Sequence, residues 1–321
     1  MRVNLKFLSC LFIAISMIGC SSQEQKKTEE AKEPSAAAFV PKTFERPVAP
    51  LIMSDPSERA AYLLEHFWDK FDFRDTMYCY VPEYSRAPSV AEQGIVDFLS
   101  LLPYVSLNKT SEVVKKMLDS AEVDVFMYNY FYQRGEHYLY NPNSRIRNDE
   151  FFIPFLEHVV SSSKVIESNK VRPKYQLNLA YRNRVGEKAL DFTYTLNSGV
   201  TGNLYGISGQ NILLMFFNPD CKECQETTAE IKNSAVISAA IEAGKLKVVS
   251  IYPDENIEIW KNYLAIVPFL WINGYDKTLS IRNKEIYDLK AIPTLYLLDK
   301  DKKVIFKDTS VERIQAYLER N

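Results

Sequence analysis

The sequence predicts a multidomain protein: an all-α helical domain followed by an α/β domain whose mixed sheet is flanked by helices. Over residues 55–166 apolar side chains recur at helical spacing, and almost no segment alternates as a strand would. After Lys170 the pattern changes to shorter, β-rich runs separated by helical stretches. With 321 residues, 46% of them hydrophobic and 13% aromatic, the chain has enough apolar surface for two cores. Its 39 basic and 41 acidic side chains leave a formal charge of -2, which gives no global field to draw a polyanion and excludes nucleic acid as an expected partner.

Residues 1–19 read as a leader outside the fold. Arg2 and Lys6 form a basic start, residues 7–15 are apolar, and Met17-Ile18-Gly19-Cys20 follows. The tetrapeptide resembles the bacterial lipobox, with Met17 where leucine is usual. An ordinary N-terminal helix is the alternative, although the apolar run is too short to span a bilayer. If the lipobox is used, the chain starts at Cys20, Cys10 leaves with the leader, and acyl chains on Cys20 tie the protein to a bacterial envelope membrane on its extracytoplasmic side. Residues 20–50, rich in Gln, Glu, Lys, Ala and Pro, read as a flexible tether.

Residues 51–176 are expected to form the helical domain. Asp55-Pro56-Ser57-Glu58 combines a cap, a proline at the first helical position and a glutamate placed for a capping box, ahead of Leu63, Leu64, Phe67, Trp68 and Phe71. Ser89 and Glu92 repeat the device ahead of Ile95, Val96, Phe98, Leu99 and Leu102. Three further helices are expected over residues 111–121, 124–133 and 149–165, giving a small bundle of five.

Residues 177–321 are expected to form the α/β domain, with the boundary near 177–184. Strands are predicted at 192–196, 212–217, 246–252, 294–298 and 304–306, with a glycine turn at 198–203 and another turn at 299–302. Helices are predicted from the cysteine pair onward, at 255–264 and from Ser310. Strands alternating with helices and closed by a hairpin indicate mixed strand directions.

The chemistry sits in Cys221-Lys222-Glu223-Cys224. A helix opening at this pair puts Cys221 where unpaired N–H groups favour a thiolate, and the spacing lets Cys224 resolve a mixed disulfide formed at Cys221. Such a pair has other uses. Zinc needs four ligands, whereas the other mature thiols are Cys79 and Cys20, and His66, His137 and His158 all lie in the helical part. Haem attachment needs histidine after the second cysteine, where Gln225 stands. A structural staple stays open, since an envelope compartment is oxidising. No metal or cofactor is expected. Ala291-Ile292-Pro293-Thr294 follows the pair by about 70 residues, just before a predicted strand, and a proline there suggests a cis bond turning the chain toward the cysteines.

With these motifs, and with the opening Val185-Gly186-Glu187-Lys188-Ala189-Leu190-Asp191-Phe192-Thr193, the second half resembles the thioredoxin-like superfamily, nearest the TlpA/ResA-like and alkyl hydroperoxide reductase/thiol-specific antioxidant branch. The helical half, with His66-Phe67-Trp68-Asp69 and the run from His137 to Ser144, resembles an uncharacterised domain that precedes thioredoxin-like domains in bacterial lipoproteins. The resemblance implies Cys221 as attacking sulfur, Cys224 as resolving sulfur, and a substrate groove lined by Pro293, Ile292, Asp220 and Pro219. Two departures stand out. Asp220 occupies the place of the family's tryptophan, and the threonine and proline of peroxidatic sites are replaced by Asn218 and Leu214, which fits peroxide chemistry poorly.

Asp220, Glu223 and Glu226 around Cys221, against Lys222 alone, disfavour a thiolate and so point to a reducing couple over a strong oxidant. Cys79, between Tyr78 and Tyr80, reads as a buried hydrophobe, and His137 as a residue that could line a cleft. The leading expectation is a membrane-anchored thiol–disulfide oxidoreductase with protein thiol or disulfide clients and an electron-donating membrane partner. The alternative is a non-enzymatic lipoprotein binding module with a structural disulfide.

Overall fold

The computed structural model describes residues 42–83 and 85–321. The leader, the lipobox at Met17 to Cys20 and the tether as far as residue 41 lie outside the described residues.

Six helices form the first half: α1 (Pro56–His66), α2 (Val90–Leu101), α3 (Leu107–Ala121), α4 (Val125–Leu139), α5 (Asp149–Ser161) and α6 (Glu167–Ala180). The caps at Asp55 and Ser89 are those the sequence announces: Asp55 accepts from the Glu58 N–H and Ser89 from the Glu92 N–H. Asp124, where the 124–133 helix was expected to start, caps α4 by accepting from the Met127 N–H. Such caps contribute about 1 kcal/mol each. Two boundaries move. Ser106 caps α3 and starts it ahead of residue 111, and α4 runs past residue 133 to Leu139. Helix α6 was not expected: it carries Pro173 inside it and buries Lys170 and Gln176, so neither propensity nor an apolar stripe announces it. It ends at Ala180, inside the 177–184 stretch where the sequence changes character.

The helical core gathers around Trp68, whose ring centroid lies 4.9–5.8 Å from those of Phe44, Phe67, Phe71, Phe98 and Phe131. Phe44 belongs to the stretch expected as the end of the tether. Its ring stacks on Trp68, and Arg46 bonds Asp97 at 3.1 Å, because an aromatic ring offered to an open edge of this core gains more from burial than it loses in chain freedom. Helices α4 and α5 approach closely at Gly135, where an added Cβ would lie 2.4 Å from the Phe155 ring.

The second half is one seven-stranded mixed sheet in the order β2-β1-β5-β4-β3-β6-β7. Its strands are β1 (Thr193–Leu196), β2 (Thr201–Asn203), β3 (Asn211–Phe216), β4 (Leu246–Tyr252), β5 (Ile272–Tyr275), β6 (Thr294–Asp299) and β7 (Val304–Lys307). β3, β4 and β5 run parallel, and β6 lies antiparallel to β3. β3 is buried along its whole length: Leu213 and Met215 face one core with Leu295 and Leu297, and Ile212, Leu214 and Phe216 face the other with Tyr296 and Leu298. Helices α7 (Lys222–Asn233), α8 (Ala235–Glu242), α9 (Ile257–Tyr263), α10 (Ser280–Asn283) and α11 (Val311–Leu318) complete it. β2, which takes the end of the expected 198–203 turn, and β5, α8 and α10 were not foreseen. β5, with sequence Ile-Asn-Gly-Tyr, has little strand propensity and is held by β4 and β1 on its two edges.

Candidate redox site

β3 delivers the chain into a tight turn at Asn218 to Asp220, and α7 begins immediately, with Cys221 as its N-cap residue. Cys221 is partly exposed, whereas Cys224, one turn on, is 1% exposed and packs into the sheet core. Both are free thiols. The Ile292–Pro293 bond is cis. The Cys221 Sγ lies 3.5 Å from the Ile292 carbonyl oxygen and 3.4 Å from Glu223 Oε2, two acceptors that share its one proton. The Asn218 backbone N–H donates to Cys224 Sγ at 3.4 Å. Burial, reinforced by Cys221, pushes the Cys224 thiol far up, outweighing that N–H. Glu223, fully exposed, is held below the usual carboxylate range by its own backbone N–H and the Cys221 thiol.

The turn is braced from several sides. The Gln225 side chain donates to the Pro219 carbonyl at 2.6 Å, Asn218 Oδ1 accepts from the Asp220 N–H at 3.0 Å, and Asn218 Nδ2 donates to Asp254 at 2.8 Å. Arg282 closes on the other Asp254 oxygen at 2.5 Å. Cys221, Cys224, Ile292 and Pro293 thus converge, while Pro219 and Asp220 border a separate cleft of about 450 Å³ between α7 and α9.

The cis-proline turn has a second anchor that sequence reasoning missed. Lys290, just before it, bonds Asp149 at the start of α5 at 2.9 Å and Asp288 at 3.2 Å; Lys307 reaches the other Asp149 oxygen at 2.9 Å. Asp149 is buried. Burial alone would raise its pKa, but the two lysines hold the carboxyl below its usual range. Lys290 is held above its usual range: burial opposes its charge, and Asp149, Asp288 and Asp308 outweigh that cost. The partners stand 141 residues apart in the chain, so no local signal could have found them.

Elsewhere, Cys79 is half-buried, with burial pushing its thiol up to about 12. His137 lines a shallow cleft with Tyr138 and Ile146, and His158 bridges the Tyr128 hydroxyl and Asp119 at 3.0 Å each. Among the described residues no group of histidine, cysteine and carboxylate side chains is placed to hold a metal ion, and no helix is long and apolar enough to cross a membrane.

Comparison with known proteins adds two family matches. Residues 19–183 match a family described as a domain of unknown function, DUF5106, and residues 209–304 match a thioredoxin-like family. A crystal structure of a thioredoxin-like protein from Bacteroides caccae superposes with a TM-score of 0.81 at 44% identity, covering 88% of this chain and 100% of that one. The thiol-disulfide oxidoreductase ResA of Bacillus cereus is 24% identical over 140 residues, 43% of this chain and 78% of its own length. A rice protein named probable nucleoredoxin 3 is 28% identical over 110 residues, 34% of this chain, which spans only 23% of that protein.

Proposed function

The chain belongs to the DUF5106 family and carries a thioredoxin-like fold behind that domain, and from that premise we propose that it is a thiol–disulfide oxidoreductase of a bacterial cell envelope. In this reading it is anchored by a lipid on Cys20 and acts on protein disulfides as a reductase or isomerase. The observation that carries it is the placement of Cys221. Its sulfur is partly exposed at a helix start, within 3.5 Å of the Ile292 carbonyl, with a buried second thiol one turn behind. Cys221 attacks the client disulfide, and Cys224 then displaces the client from Cys221.

Carboxylates support the reducing direction. Glu223 contacts the Cys221 sulfur, Asp220 precedes it, and Lys222 is drawn to Glu226 at 3.4 Å. A thiolate with little stabilisation makes the more reducing couple. The leader and Met17 to Cys20 support the envelope address, and an electron-donating membrane partner would return Cys221 and Cys224 to thiols.

The test has three readouts. Cys221 is expected to alkylate well before Cys224 in the reduced folded protein, Cys224→Ser to accumulate mixed disulfides with clients, and the chain to take up a palmitate analogue that Cys20→Ser abolishes. Equal alkylation rates, or a pair that resists mild reductant, would return the protein to a binding module with a structural disulfide. An unlabelled, soluble wild type would remove the anchor alone.

A further inference from the structure

The turn between β3 and α7 is held from outside its own stretch of chain. Asp276, just past β5, is buried and accepts from the Ile281 N–H at 2.7 Å and from the Thr278 N–H at 3.1 Å, which fixes α10 against the end of the sheet. α10 carries Arg282, and Arg282 closes on Asp254, two residues past β4. The other Asp254 oxygen accepts from Asn218 Nδ2 at 2.8 Å. The ends of β4 and β5 therefore set the place of Asn218, whose N–H reaches Cys224 Sγ at 3.4 Å.

That N–H matters at one step of the exchange. While Cys221 is joined to a client, the buried Cys224 must give up its proton before it can attack. Burial, Cys221 and Glu223 all oppose a negative charge on its sulfur, and the Asn218 N–H favours one. A hydrogen bond to an ionised acceptor is about twice as strong as one to a neutral acceptor, so this donor gains strength as the thiolate forms. Its worth depends on staying aimed at the sulfur, with no rearrangement at the moment of attack. The Asn218 side chain is tied at both ends to keep it there, Nδ2 to Asp254 and Oδ1 to the Asp220 N–H at 3.0 Å.

We propose that the Asn218 N–H is a catalytic group of the second displacement, and that Asp254 and Arg282 are positioning residues that keep it on the Cys224 sulfur. The proposal rests on the thiol-exchange reading above and assigns the step at which these residues act. In that step the Cys224 thiolate forms a bond to Cys221 Sγ as the bond between Cys221 and the client sulfur breaks, and the client sulfur leaves as a thiolate. The proton lost by Cys224 ends on that client sulfur. Over both displacements the cysteine pair is oxidised by two electrons and the client disulfide is reduced by two. The first displacement, at Cys221, does not use this N–H, so the network controls how long a client stays attached and not how fast it is captured.

The test times both displacements in the pre-reduced full chain. A peptide activated on its one cysteine as a mixed disulfide with thionitrobenzoate releases a coloured thiolate when Cys221 attacks. Acid-quenched mass spectrometry of the fragment carrying Cys221 then follows loss of the peptide adduct. Asp254→Ala and Asn218→Ala are each expected to slow adduct loss about tenfold relative to capture, as for one hydrogen bond to a charged group. Asp254→Asn, whose amide oxygen can still accept from Asn218, should restore most of the rate. The double variant Asn218→Ala with Asp254→Ala should be no slower than the slower single, since both act through one N–H. Native Trp260 fluorescence reports that each variant is folded. Wild-type adduct loss in Asp254→Ala, equal slowing of capture and loss, or singles whose effects multiply would overturn the assignment and leave thiol exchange standing. An adduct that never forms on wild-type Cys221 would remove thiol exchange and the assignment with it.

Discussion

The helical half gathers its apolar side chains into one core around Trp68, whereas the sheet half divides them by the parity of β3 into two. Where the halves meet, the chemistry changes: Asp149 between Lys290 and Lys307, Glu150 against Arg184 at 2.5 Å, and Asp308 against Arg147. Apolar contacts are forgiving in direction. A buried ion pair costs desolvation on both sides and returns it only in good geometry, so such a join fixes orientation more than it adds stability. The difference teaches that each half has an apolar core of its own, and that the ions between them set how the helical loop is held.

The sharpest way to break this contrast is to leave the join's charges unmatched. Asp149→Ala takes away the carboxylate that Lys290 and Lys307 share, leaving Asp288 to the first and the Ala180 and Arg182 carbonyls to the second, and is expected to cost about 3 kcal/mol in urea unfolding. Replacing Asp149, Lys290 and Lys307 together by apolar residues of similar size should recover most of that stability, yet leave thiol exchange with peptide clients impaired. Full recovery of both would show the join to be mere adhesion.

Trp68→Ala tests the other side of the comparison. Removing a buried ring that six others surround is expected to cost about 3–5 kcal/mol, confined to the helical half. Trp260 and Trp271 report the sheet half by fluorescence. They should keep their native signal, and Cys224 its protection from alkylation, after the variant's helices have melted. One coincident transition would mean that the two cores are a single unit.

A smaller effect follows from titration. Asp149 has a folded pKa below its unfolded value, so its contribution is complete above about pH 4 and is lost as pH falls through the lower folded value. Lys290 has a folded pKa above its unfolded value, so its contribution is complete below about pH 10.4 and is lost as pH rises through the higher folded value. Melting temperature should therefore stay level in between and fall on both flanks, and Asp149→Asn should lose its share of the acid-side fall. The smallest expected change is Ser89→Ala, which removes the α2 cap and the bond to the Tyr130 hydroxyl at 2.7 Å, for about 1 kcal/mol by calorimetry.

Much of this fold could be read locally. The caps at Asp55, Ser89, Asp124 and Ser310, the buried run that became β3 and the strand after Pro293 each carry their signal within a few residues. What escaped was set by distant partners. α6 forms around Pro173 because Gln176 and Arg172 bond Glu136, and β5 forms because two strands offer it edges. In the site, the convergence of Cys221 and Cys224 with the cis-proline turn follows from spacing and from the strand after Pro293. The Asp149–Lys290 clamp and the loop at Arg147 depend on tertiary contacts that no window of sequence contains.

The close approach of Gly135 and Phe155 has a consequence for how this molecule can change over generations. α5 sits where it does because a glycine lets the Phe155 ring occupy the space of a side chain, and the first residue of α5 is Asp149. An alanine at position 135 would push α5 away and carry with it the carboxylate that holds the turn of Ile292 and Pro293. Positions 135 and 155 should therefore drift as a pair, a small residue at one permitting a ring at the other, and a lineage that altered one alone would meet its first defect at the thiols, far from the substitution.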